Sequence, residues 1–77
     1  MEIKEFIQNF ADQFDDTDAS VFSPETIFHE LDEYSSIIAL SIIAMVDEEY
    51  GVMLKGADMS AAVTIQDLFN TVKAKQA

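Results

Sequence analysis

From Ser36 to Val46 the chain reads Ser-Ile-Ile-Ala-Leu-Ser-Ile-Ile-Ala-Met-Val, and no charge appears before Asp47. The β-branched residues would permit a strand, but strands usually stop at about 4–8 residues, whereas this uncharged run is 11 residues long and its helical spacing extends to Tyr50. Length therefore favours a helix over 36–50. Helical spacing puts Ala39, Ile42, Ile43, Val46 and Tyr50 on one face and Ser41, Ala44 and Glu48 on the other. Gly51 follows at once and suits a left-handed C-cap. The nearly uncharged stretch from Tyr34 to Val46 is too short to span a bilayer.

The rest of the chain supplies partners for this helix. Ile3, Phe6, Ile7, Phe10, Ala11 and Phe14 keep the i, i+3, i+4, i+7 rhythm, so a first helix is expected to end near Phe14. Asp15, Asp16 and Asp18 then put negative charge at the unfavourable end of its dipole. A long connection up to Ser35 contains Ser23-Pro24-Glu25, the pattern of an N-cap followed by proline at the first helical position. That pattern predicts a short turn through Thr26, Ile27, Phe28 and Leu31. After Gly51, residues 52–56 form an extended link, and Asp58 is expected to cap a brief turn from Met59 to Ala62. Thr64-Ile65-Gln66-Asp67 has capping-box spacing, with Asp in place of Glu or Gln. A last helix follows with Ile65, Leu68, Phe69 and Val72 inward and Lys73 and Lys75 in its final turn. The expected fold is all-α: one domain over 1–77, a small four-helix bundle of three main helices and one short one, with a long first connection. Two glycines and one proline in 77 residues agree with helices joined by few loops.

Composition narrows the chemistry. With no cysteine there are no disulfides, thiolate metal sites or cysteine nucleophiles. The net charge is −11, and 12 of the 15 acids lie between Lys4 and Lys55, a span without a single Lys or Arg. Such a surface repels nucleic acid and anionic lipid. It fits a basic partner, or serves solubility alone. Acidic residues stand where a signal peptide needs positive charge, so a cytoplasmic location is expected, with no membrane insertion.

Sites built from the chain's own side chains are poorly supported. A calcium loop beginning at Asp16 needs glycine at its sixth position and glutamate at its twelfth, where Val21 and Ile27 stand. His29, the only histidine, would need Ser35 or Ser36 and an orienting acid to act as a hydrolase, and no Gly-x-Ser-x-Gly elbow is present. It reads as an ordinary, partly exposed histidine on the short turn. Asp47-Glu48-Glu49 reads as a solvated helix end. Neither a catalytic residue of the chain nor a metal ligand is assigned, and the protein is not expected to be an enzyme.

One constellation remains: Phe28, Leu31 and then Ser35-Ser36-Ile37 opening a helix that closes with Glu48-Glu49-Tyr50-Gly51-Val52, followed by Thr64-Ile65-Gln66-Asp67-Leu68. In order, spacing, acidity and length this resembles the acyl and peptidyl carrier proteins over nearly the whole chain. Their pattern has a Phe, a Leu, then Asp-Ser-Leu opening a helix that ends Glu-Glu-Phe-Gly-Ile. The resemblance implies that Ser36 carries 4′-phosphopantetheine, transferred from coenzyme A by a phosphopantetheinyl transferase, with Ser35 and Ile37 flanking it. It implies a carrier of acyl or aminoacyl groups as thioesters, for fatty acid, polyketide or related biosynthesis, working with acyl-loading and acyl-using enzymes. The thiol that the cysteine-free chain lacks would come from the arm. Serine before an apolar helix is commonly a cap; here Ser35 can cap while Ser36 anchors.

Two departures bear on partners. The family's aspartate before the serine, part of what the transferase engages, is Ser35 here. The family's helix after the serine bears acids that dock basic patches, whereas here it is apolar until Asp47. The implied docking surface is Ile37, Ile38, Leu40, Ser41, Ala44, Met45, Asp47 and Glu48, with Ile38 and Met45 expected to face solvent. An apolar surface of this kind suits a dedicated partner; alternatively these residues thicken the core or pair two protomers, although a monomer is expected. Leu40, Ile43, Val46, Leu54, Met59, Ala62 and Leu68 are candidates for lining a space that shelters the acyl chain, or are plain core. The rival functional reading is an unmodified carrier-like paralogue acting as a protein–protein adaptor, favoured by Ser35 in place of Asp.

Overall fold

Four α-helices follow one another in the structure, a computed structural model that describes residues 2–76. They are α1 (Ile3–Ala11), α2 (Ser36–Tyr50), α3 (Gly56–Ala61) and α4 (Ile65–Gln76). Two single 3₁₀ turns, Ala19–Val21 and Phe28–Glu30, interrupt the long connection between α1 and α2. The result is the expected small all-α bundle, with α1 packed against both α2 and α4, and α3 against α4. No helix among the described residues is long and apolar enough to cross a membrane.

Aromatic side chains build the core. Phe6, Phe10 and Phe28 are fully buried, together with Ile42, Val46, Ile65, Leu68 and Val72. Phe10 sits at the junction: its ring meets Phe6, Phe14, Phe22 and Phe28 at centroid distances of 6.4, 5.6, 6.1 and 5.4 Å. Such contacts add to the area each ring removes from water. Phe14 and Phe22 are buried although they stand outside regular helices, which is how the first part of the connection is held down.

Local chemistry fixes the ends of the elements. Gly51 has φ +66° and ψ +26°, and its N–H donates to the Asp47 carbonyl at 3.0 Å, so it ends α2 as its position predicts. The Thr64–Asp67 box forms in full: the Asp67 N–H donates to Thr64 Oγ1 at 3.1 Å, and the Thr64 N–H to Asp67 Oδ2 at 3.0 Å. The Val63 N–H adds a third bond to the same carboxylate oxygen at 3.2 Å.

Three expectations need correction. First, α1 ends at Ala11 and the chain turns through residues 12–14, so Phe14 enters the core from a turn. Second, Ser23-Pro24 does not open a helix. The Thr26 N–H closes a turn onto the Ser23 carbonyl at 3.1 Å, and the 3₁₀ turn begins only at Phe28. The intervening residues pair with the start of α4: Ile27 bridges Thr64 antiparallel, and the Ile65 and Gln66 N–H groups donate to the carbonyls of Thr26 and Pro24 at 3.1 and 3.0 Å. Those long-range bonds outweigh the local helix signal. Third, Asp58 is not the cap of α3 but its third residue, accepting from the Lys55 N–H at 2.9 Å.

Candidate functional site

The start of α2 is held from below and open above. Glu33 ties the acidic loop to the segment that leads into the helix, accepting from the Asp15 and Asp16 N–H groups at 2.7 and 3.0 Å and from Thr17 Oγ1 at 2.7 Å. The Thr17 hydroxyl, helped by those backbone donors, holds the Glu33 carboxyl below the usual carboxylate range. Tyr34 follows, half-buried, its ring edge-on to Phe28 at 5.4 Å and to His29 at 5.0 Å. Removal from water pushes its phenol above the usual tyrosine value.

Ser35 then takes extended geometry (φ −152°, ψ 175°) and caps α2: its Oγ accepts from the Ile38 N–H at 3.3 Å. Its carbonyl accepts from the Ala39 N–H at 2.9 Å. Ser36 is the first helical residue and is exposed, and its hydroxyl bonds to no other described residue. The N–H groups of Ser36 and Ile37 likewise have no partner among the described residues, so the positive end of the helix dipole is open around that hydroxyl.

Beside Ser36 lies a cleft of about 420 Å³ between α2 and α3. Ala39, Leu40 and Ile43 of α2 and Gly56, Met59 and Ser60 of α3 line it, together with His29 and Tyr34. Of the residues considered for an apolar lining, Leu40, Ile43 and Met59 reach this cleft. Val46, Leu54, Ala62 and Leu68 do not; they lie at 5 % exposure or less in the packed core. Ala39, Tyr34, Gly56 and Ser60 were missed, because which side chains meet across α2 and α3 is a tertiary fact.

The outer surface of α2 also differs from expectation. Ile37 and Leu40 are its exposed large apolar residues, at 73 % and 65 %. Ala44, Asp47 and Glu48 are exposed and Ser41 half-buried. Met45 does not face solvent: it is 7 % exposed within the core, and Ile38 is half-buried against it. Of the expected stripe, Ile42 and Val46 are buried and Ala39, Ile43 and Tyr50 are half-buried against the core, and Met45 joins the buried set. Because α2 is apolar nearly all round, spacing alone does not settle its rotation. A second hollow, of about 300 Å³ between α1 and α2, is bordered by Asp12, Glu48 and Glu49 together with Asn9, Gln13 and Ser41.

His29 is exposed as a residue, yet its Nε2 lies 2.9 Å from the Met59 carbonyl and 3.0 Å from the Ala62 carbonyl. It makes no hydrogen bond to Ser35 or Ser36 among the described residues, so no nucleophile–base pair is assembled here. No group of three His, Asp or Glu among the described residues converges to hold a metal.

No family model, curated protein or solved structure matches this chain.

Proposed function

We propose that this protein is an acyl carrier whose Ser36 takes a 4′-phosphopantetheine arm. The observation that carries the reading is the exposed, unpartnered Ser36 hydroxyl at the first turn of α2, on the rim of an apolar cleft. The residues present suit that group. Free backbone N–H groups and the helix dipole favour a phosphodiester there, and Ser35 caps the helix so that Ser36 need not. The arm would supply the thiol on which acyl or aminoacyl groups travel in fatty acid, polyketide or related biosynthesis.

The chain's own contribution is shelter and docking. Leu40 and Ile43 offer apolar surface to a chain laid in the cleft, over the buried side chain of Met59, and each methylene removed from water is worth about 0.8 kcal/mol. Ile37 and Leu40 present an apolar patch, with Asp47 and Glu48 further along the same helix, which suits loading and using enzymes whose docking faces combine apolar and basic residues. The reading makes the protein a cytoplasmic, monomeric, non-enzymatic shuttle.

Incubation of the unmodified protein with coenzyme A and a broad-specificity phosphopantetheinyl transferase tests it. The expected result is the mass of one arm on wild type and none on Ser36→Ala; a wild-type chain that gains nothing speaks against the reading. Ser35, standing where the carriers have aspartate, favours the second reading, an unmodified adaptor. An adaptor binds its partner equally well with Ser36→Ala.

A further inference from the structure

The six residues of α3 are too few to hold a helix in water by themselves, so its position depends on what fastens it. One side is secured by packing on α4, with Met59 buried beneath, and by a surface ion pair between Lys75 and Asp58 at 3.6 Å. The opposite side faces α2 across the cleft. There the hydrogen-bonded attachment is the His29 ring.

The geometry of that attachment is specific. Both partners of Nε2 are carbonyl oxygens, which only accept, so Nε2 carries the proton and shares it between them. Carbonyls in the last turn of a helix have no donor within the helix; His29 supplies one to Met59 from a different part of the chain. The ring itself is braced, stacked on the fully buried Phe28 at 4.4 Å and met edge-on by Tyr34 at 5.0 Å. The segment that carries it is fixed in turn by the backbone bonds from Ile65 to Thr26 and from Gln66 to Pro24. His29 thus joins the rigid body of the bundle to the far end of α3.

The same imidazole lines the cleft, and so does Met59, whose carbonyl it holds. Any widening that swings α3 away from α2 stretches the bonds to Met59 and Ala62. We propose that His29 is a positioning residue that clasps α3 and so limits how large an apolar chain the cleft accepts. The link to cargo rests on the carrier reading above; the clasp itself does not.

Two variants separate the clasp from general packing. His29→Phe keeps an aromatic ring over Phe28 and removes the donor, whereas His29→Gln keeps one. Hydrogen exchange is read at the Met59 and Ala62 amides, which are bonded to the Lys55 and Asp58 carbonyls, with the Val72 amide as the reference for the buried body. Loss of the shared bond is expected to speed exchange at Met59 and Ala62 about tenfold in His29→Phe, and less in His29→Gln, with Val72 unchanged. Binding of the neutral probe N-phenyl-1-naphthylamine to the unmodified protein should tighten severalfold in His29→Phe. Equal acceleration at all three amides, or none at Met59 and Ala62, overturns the clasp. Selective loosening with unchanged probe affinity overturns its control of the cleft. Both readouts use unmodified protein, so failure of the transferase to modify wild type would count against the carrier reading alone.

Discussion

The two glycines of this chain should respond to the same substitution with opposite signs. At Gly51 an added Cβ would meet nothing within 4 Å, so crowding contributes nothing to the cost of Gly51→Ala. The cost lies in the backbone. The residue is held at φ +66°, and an L-residue there loses about 1–2 kcal/mol. The stiffer unfolded chain returns about 0.4–1 kcal/mol, which leaves a net destabilisation of about 1 kcal/mol. Gly56 also has open space around its Cβ position, but it opens α3 and does not have positive φ. Gly56→Ala should therefore stabilise by about 0.5–1 kcal/mol. Stability of a 77-residue domain is about 4–12 kcal/mol, so both changes are measurable. Urea titration should move the midpoint down for Gly51→Ala and up for Gly56→Ala with m unchanged. In thermal melts about 1 kcal/mol corresponds to roughly 4–8 °C. A neutral or stabilising Gly51→Ala, or a destabilising Gly56→Ala, would refute the assignment of the two backbone roles.

Phe10→Ala removes the ring that meets four other aromatics and should cost about 3–5 kcal/mol, enough to consume much of the domain's stability; loss of the near-ultraviolet circular dichroism at moderate urea is the readout. The three N–H and hydroxyl partners of Asp67, led by the Thr64 N–H, hold its carboxyl below the usual aspartate range. A depressed folded-state value contributes stability that is complete above the unfolded value and is lost as pH falls through the folded one. Wild type should therefore exceed Asp67→Asn in urea midpoint at neutral pH, and the gap should narrow on acidification; a gap independent of pH contradicts this. Comparing the two proteins cancels the relief of general repulsion that any chain of charge −11 gains in acid.

Where the determinants were local, the sequence was easily read. The α1 and α4 stripes, Gly51 as C-cap and the Thr64–Asp67 box each depend on residues within a few positions of one another, and each appears as its pattern implies except that α1 stops at Ala11, before Phe14. Ser35 as cap and Ser36 as the exposed first residue of α2 were legible for the same reason. Difficulty began where distant segments compete with local signals. Ser23-Pro24 looks like a helix start, but bonds to the beginning of α4 take that backbone instead. Met45 looked solvent-facing because α2 has no polar face to fix its rotation, and only its packing neighbours settle the matter. The contact between His29 and α3 spans thirty positions and more in sequence, so no spacing rule could reveal it.

Intact mass of the protein purified from its native host, with fragmentation to place any added group, addresses the central claim without a chosen enzyme or cofactor. The account predicts a single phosphopantetheinyl group on Ser36, bare or acylated. An unmodified chain isolated from cells with an active transferase, or a group placed on Ser35 or elsewhere, would contradict it.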